Sequence, residues 1–173
     1  DADPSELIIK TDNPNLDIPV SGFRTVPVPL PVRANFAFAA LEGDSPIVGD
    51  QLLINGVNMS TADRLANNFF DSSVTQLSAL PVDNRNPNST NTLGFDTGVM
   101  AVPNPGNSVI SNDTNNATIS LNTAGDTYFV YFTALAVDII EPNIVLTKIV
   151  LDEFGVNIGG QVVELGQPLT YVI

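Results

Sequence analysis

Ala34-Asn35-Phe36-Ala37-Phe38-Ala39-Ala40-Leu41 decides the fold. Large and small residues alternate with period 2, the spacing at which a strand sends successive side chains to opposite faces. Phe36 and Phe38 are expected to fill a core, and the small alanines let another layer approach closely. Residues 128–139, Tyr128-Phe129-Val130-Tyr131-Phe132-Thr133-Ala134-Leu135-Ala136-Val137-Asp138-Ile139, are apolar on both faces. Phe129, Tyr131, Leu135 and Val137 are expected on one side; Tyr128, Val130, Phe132 and Ala134 on the other. Such a strand is central, or its second face is covered, by its own domain or by a partner subunit.

Elsewhere the same signals recur: runs of Val, Ile, Thr, Phe and Tyr bounded by Asn, Asp, Gly and Pro. They predict strands at 6–11, 16–20, 23–32, 34–41, 51–54, 73–80, 108–110, 117–122, 127–139, 143–151, 161–164 and 168–173. Only 61–68 could hold a helical turn. The expectation is an all-β chain: a Greek-key or jelly-roll-like β-sandwich over 1–140, then an incomplete Ig-like β segment over 141–173. In Val26-Pro27-Val28-Pro29-Leu30-Pro31-Val32 the prolines remove N–H donors from one edge only. This reads as an edge strand or a polyproline segment that cannot be extended on its bare side, or as a Pro-rich connector.

Composition excludes several chemistries. The chain has 173 residues with no Cys, His or Trp. No Ser-His-Asp triad or Cys-His pair can form, and zinc and copper lack their usual ligands. Six Lys+Arg against 19 Asp+Glu leave a net charge of −13, which argues against nucleic-acid binding. No apolar run reaches the roughly 20 residues of a membrane helix. The opening Asp1-Ala2-Asp3-Pro4-Ser5-Glu6 is acidic and unlike a signal peptide, so a secreted form is expected to be trimmed.

Three groups of residues are candidate sites. Glu42, Asp44 and Asp50 lie in a Gly-containing loop, Glu42-Gly43-Asp44-Ser45-Pro46-Ile47-Val48-Gly49-Asp50. Ca²⁺ takes six to eight oxygen ligands, and Asp96, Asn67, Asn68 and Asp71 could complete its shell if the loops converge. The alternative is that Asp44 and Asp50 cap turns. Lys148 sits among Ile144, Leu146 and Val150, where an apolar flank lowers a lysine pKa as an isopeptide crosslink requires. The plainer reading is a snorkelling lysine. Asn-x-Ser/Thr sequons mark Asn58, Asn88, Asn112 and Asn116 as glycosylation candidates in an Asn-rich chain. No spacing selects a glycosidase-type carboxylate pair, and an enzyme is not expected.

Two segments resemble parts of bacterial surface proteins. Glu141-Pro142-Asn143-Ile144-Val145-Leu146-Thr147-Lys148, Gly155 and Val162-Val163-Glu164-Leu165-Gly166-Gln167-Pro168-Leu169-Thr170-Tyr171-Val172-Ile173 resemble the opening of an Ig-like conserved repeat. Glu42-Gly43-Asp44, Gly49-Asp50-Gln51-Leu52, Asn67-Asn68-Phe69-Phe70-Asp71-Ser72-Ser73, Arg85-Asn86-Pro87, Asn91-Thr92-Leu93-Gly94-Phe95-Asp96 and Gly125-Asp126-Thr127-Tyr128 resemble the β-rich domain that precedes such repeats in adhesin-like proteins. The usual Gly-Gly-Trp start has no counterpart, and the repeat stops at Ile173, before its crosslinking asparagine. The resemblance implies a secreted, surface-attached, non-enzymatic structural protein. A truncated repeat is expected to donate strands to a neighbouring copy and build a filament or stalk. The alternative is a calcium-dependent carbohydrate-binding module.

Overall fold

The structure, a computed structural model, describes residues 8–9 as backbone and residues 14–76, 85–140 and 146–173 in full. The chain divides into two compact units, Asp1–Ile140 and Glu141–Ile173.

The first unit is an all-β sandwich. One sheet has five strands in the order β1-β9-β3-β7-β6: β1 (Ile8–Ile9), β9 (Tyr128–Val137), β3 (Ala34–Leu41), β7 (Phe95–Ala101) and β6 (Val74–Thr75). The other has four in the order β2-β8-β4-β5: β2 (Asn15–Ser21), β8 (Asn116–Asn122), β4 (Gln51–Ile54) and β5 (Val57–Asn58). Pairing is antiparallel except between β6 and β7. The core lies between the sheets. Phe36, Phe38, Ala40, Met100, Tyr128 and Val130 come from the first, and Leu52, Ile54, Ile119 and Leu121 from the second. Phe69 and Phe70 enter from the loop after β5, and the Phe38 ring centroid lies 5.2 Å from that of Phe69 and 5.6 Å from that of Phe70.

The alternating stretch that opened the sequence reading is β3, with Phe36 and Phe38 buried as expected. Residues 128–139 behave differently. Ala39 faces Phe132 but Ala40 faces Val130, so Tyr131 is an extra residue, a β-bulge. The bulge switches the phase of the strand. Tyr128 and Val130 point inward before it, while Leu135 and Val137 pack against the core after it. Tyr131 and Phe132 are both exposed. Strict alternation therefore assigned the second half of this strand to the wrong faces.

Four further corrections follow. Residues 26–32 form no strand: the Val28–Pro29 bond is cis, and the Leu30 N–H donates to the Pro27 carbonyl at 2.9 Å, closing a turn. The connector reading holds. The proline that blunts a sheet edge is Pro19, on the outermost strand β2 of the four-stranded sheet. Residues 61–68 contain no helical turn but a tight bend bridged from Leu65 to Asn68. Residues 108–110 and 161–164 are not strands. Two strands went unrecognised. The Asn55-Gly56 turn, with φ of 50° and 77°, makes β4–β5 a hairpin. Strand β7 hides its inward face behind Asp96 and Gly98, where a strand pattern calls for apolar residues. The predicted strand at 73–80 forms as β6 at 74–75, and its end at 77–80 lies outside the described residues.

The second unit contains one antiparallel pair, β10 (Ile149–Leu151) and β11 (Thr170–Val172). None of its residues 146–173 is buried. Leu146, Phe154, Val162, Leu165 and Ile173 are each more than three-quarters exposed. Thirty-odd residues with two short strands cannot cover their own apolar side chains, which is why an isolated two-stranded ribbon is marginal in water.

Candidate functional site

The loop carboxylates serve mainly as struts. Asp96 is fully buried at the inward face of β7. Its Oδ1 accepts from Arg64 Nη1 at 2.8 Å and from the Ser73 N–H at 3.1 Å, and its Oδ2 accepts from the Ser72 N–H at 2.8 Å. Arg64 is itself 1% exposed. It also donates to the Phe69, Ser73 and Thr97 carbonyls, to Thr75 Oγ1 and to Asp71 Oδ1. Its guanidinium carbon lies 4.8 Å from the Phe38 ring centroid and 5.6 Å from that of Phe69. A planar fork with five N–H groups can serve these six acceptors, with Nη1 sharing its two hydrogens among three of them, whereas a lysine could not. Gly43 is required beside this node: a Cβ there would lie 2.3 Å from Asp96 Oδ2 and from the Phe70 carbonyl oxygen.

Asp50 is also fully buried, at the entry to β4. Its Oδ2 accepts from the Phe70 N–H and its Oδ1 has no partner among the described residues. Burial pushes its pKa up to about 6, with a smaller push from the nearby Asp126 and Asp96 carboxylates. A protonated Asp50 avoids burying an uncompensated charge. Asp126 is raised too, first by burial, while the Asp44 and Thr127 N–H groups work against that shift. The Asp44 N–H donates to Asp126 Oδ2 at 3.0 Å, so Asp126 ties down the same loop.

Of the sequence candidates for calcium, Glu42 and Asp44 are exposed, and Asp50 and Asp96 are buried and bonded to backbone. Asn67 contributes its backbone carbonyl to Gly49, Asn68 donates to the Ser45 carbonyl at 2.8 Å, and Asp71 accepts from Ser73 Oγ. Among the described residues, no three acidic side chains converge on a point that could hold a metal ion. Beside them runs a polar cleft of about 290 Å³, lined by Asp63, Asp71, Ser73, Arg85 and Asn91 among others, with no aromatic side chain on its described walls.

Lys148 is exposed rather than embedded in an apolar flank, and its ammonium lies 4.4 Å from the Tyr171 ring centroid. That is a cation–π contact across the β10–β11 ribbon. Ile144, one of the neighbours expected to flank it, lies outside the described residues. Asn58, Asn88 and Asn116 are exposed. Asn112 is occupied: its side-chain amide donates to the Val26 and Leu30 carbonyls, holding the Pro-rich connector.

Sequence reasoning missed Arg64 and Asp126. The available signal was a single arginine shortly before Phe69-Phe70-Asp71, in a chain with only six cations. No helix among the described residues is long and apolar enough to cross a membrane. Comparison with protein-family models, curated proteins and solved structures finds no match.

Proposed function

We propose that this chain is a non-enzymatic structural protein of the cell exterior, a filament subunit or adhesin stalk piece, whose second unit is completed by strands of another copy. One observation carries the reading: residues 146–173 bury nothing, yet present a two-stranded ribbon with large apolar side chains on its surface. Adding a strand to β10 or β11 satisfies edge hydrogen-bonding groups and covers apolar surface in one step. The engagement of Asp50, Asp71, Asp96 and Asp126 by their neighbours supports a structural role for the first unit.

Light scattering and electron microscopy of the full chain over rising concentration test this. Fibres or higher oligomers are expected, and removing residues 141–173 is expected to abolish them. Copies of charge −13 repel, so salt should favour assembly. A full chain that stays near 18.3 kDa at high concentration, with no fibres, sinks the proposal.

A further inference from the structure

The outer face of the five-stranded sheet carries a regular array. Strand registers place its outward residues in four rungs across β7, β3 and β9. The first rung is Phe95, Leu41 and Phe129; the second is Thr97, Ala39 and Phe132. The third is Val99, Ala37 and Ala134; the fourth is Ala101, Asn35 and Ala136. Bulky residues fill one end and alanines floor the other. Not one of these twelve positions is charged, in a chain with 25 charged residues. Leu41, Phe95, Val99, Tyr131 and Phe132 are each between 39% and 50% exposed.

The geometry points to this face as the contact surface between two copies of the chain, packed sheet on sheet with strands antiparallel. Two features select a second copy as occupant. The first is shape. A twofold axis parallel to the sheets and perpendicular to the strands sets the bulky rungs of one copy over the alanine rungs of the other, so a single surface complements itself. The second is charge. Each copy is strongly acidic, and the face is a zone where two copies meet without juxtaposing carboxylates; it offers a basic partner nothing to pair with. The exposed rings and aliphatic groups amount to roughly 500 Å² of apolar surface, at the upper end of what a monomer shows. A stable pair needs about 800 Å² from each partner, so the array forms the centre of the interface and its polar rim the remainder. None of the twelve positions lies in residues 141–173, so this contact is separate from the strand addition proposed above.

The absence of cysteine makes the test clean. Full-length Leu41→Cys and Asn35→Cys variants are mixed and treated with a thiol crosslinker spanning about 10 Å, the spacing of packed sheets. Mixed Leu41→Cys/Asn35→Cys dimers are expected to exceed Leu41→Cys homodimers well beyond the twofold ratio that random pairing of equal amounts gives. In parallel, sedimentation equilibrium of the full chain is expected to show self-association that Val99→Lys and Phe132→Lys each weaken at least about tenfold, with circular dichroism unchanged. Equal crosslinking in all pairings, or self-association that both lysine variants leave intact, overturns the inference. In that second outcome, loss of assembly on removing residues 141–173 would leave the strand-addition reading standing.

Discussion

Replacing Arg64 with methionine keeps the apolar stem and removes the guanidinium. Asp96 then keeps its Ser72 and Ser73 N–H donors but loses the Arg64 charge, and the Phe69, Ser73 and Thr97 carbonyls lose a donor. Summing six hydrogen bonds would overstate the cost, because the unfolded chain satisfies the same groups with water. Breaking a buried ion pair from one side costs about 3–5 kcal/mol. For a unit of this size that is a fall in Tm of about 10–17 °C. The loss should also depend on pH. Burial already raises the Asp96 pKa, and Arg64 is the largest influence opposing that rise. Without Arg64 the folded-state pKa climbs further. The variant therefore regains more stability than wild type as acid protonates Asp96, and the gap narrows between pH 7 and pH 4. Urea unfolding at both pH values measures this, with the slope m expected to stay constant. The Arg64→Met/Asp96→Asn double variant should be less damaged than the two single losses added together. A loss below about 1 kcal/mol at pH 7, or a gap independent of pH, would refute the buried-pair reasoning.

Three further outcomes are expected. Asp50 has a folded pKa near 6 against an ordinary 3.8, so the folded state holds its proton more tightly; stability should fall by about 2 kcal/mol as pH rises from 4 to 7, and Asp50→Asn should flatten that dependence in urea titrations. Gly43→Ala forces a Cβ into Asp96 Oδ2 and the Phe70 carbonyl and should cost about 1–3 kcal/mol or more. Gly56→Ala, at φ +77° with open space around it, should cost only about 1 kcal/mol, so similar losses at both glycines by thermal melting would contradict the packing argument. Asn104 donates to the Val32 and Ile110 carbonyls and accepts from the Val109 and Ile110 N–H groups. Asn104→Ala should therefore cost about 2–4 kcal/mol, far more than an exposed asparagine, and equality with Asn88→Ala in denaturant titration would remove it as a structural pin.

The class of structure was legible in the chain, because period-2 apolar patterning is local. Ala34–Leu41 and Gln51–Ile54 are strands over the very residues their alternation marks, and Phe36 and Phe38 are core residues because no other face can take them. Tertiary structure decided what depends on distant partners. Strand β7 looks polar on its inward side until Arg64, 32 residues earlier, neutralises Asp96. The bulge at Tyr131 arises where β9 keeps register with β3 on both sides of a slip, which no window on β9 alone records. The dispersal of Glu42, Asp44, Asp50 and Asp96 has the same cause: Glu42 and Asp44 stay exposed, while Asp50 and Asp96 are buried against different donors, the Phe70 N–H for one and Arg64 with the Ser72 and Ser73 N–H groups for the other, because each burial had to be satisfied by whatever donor the packed sheets brought near.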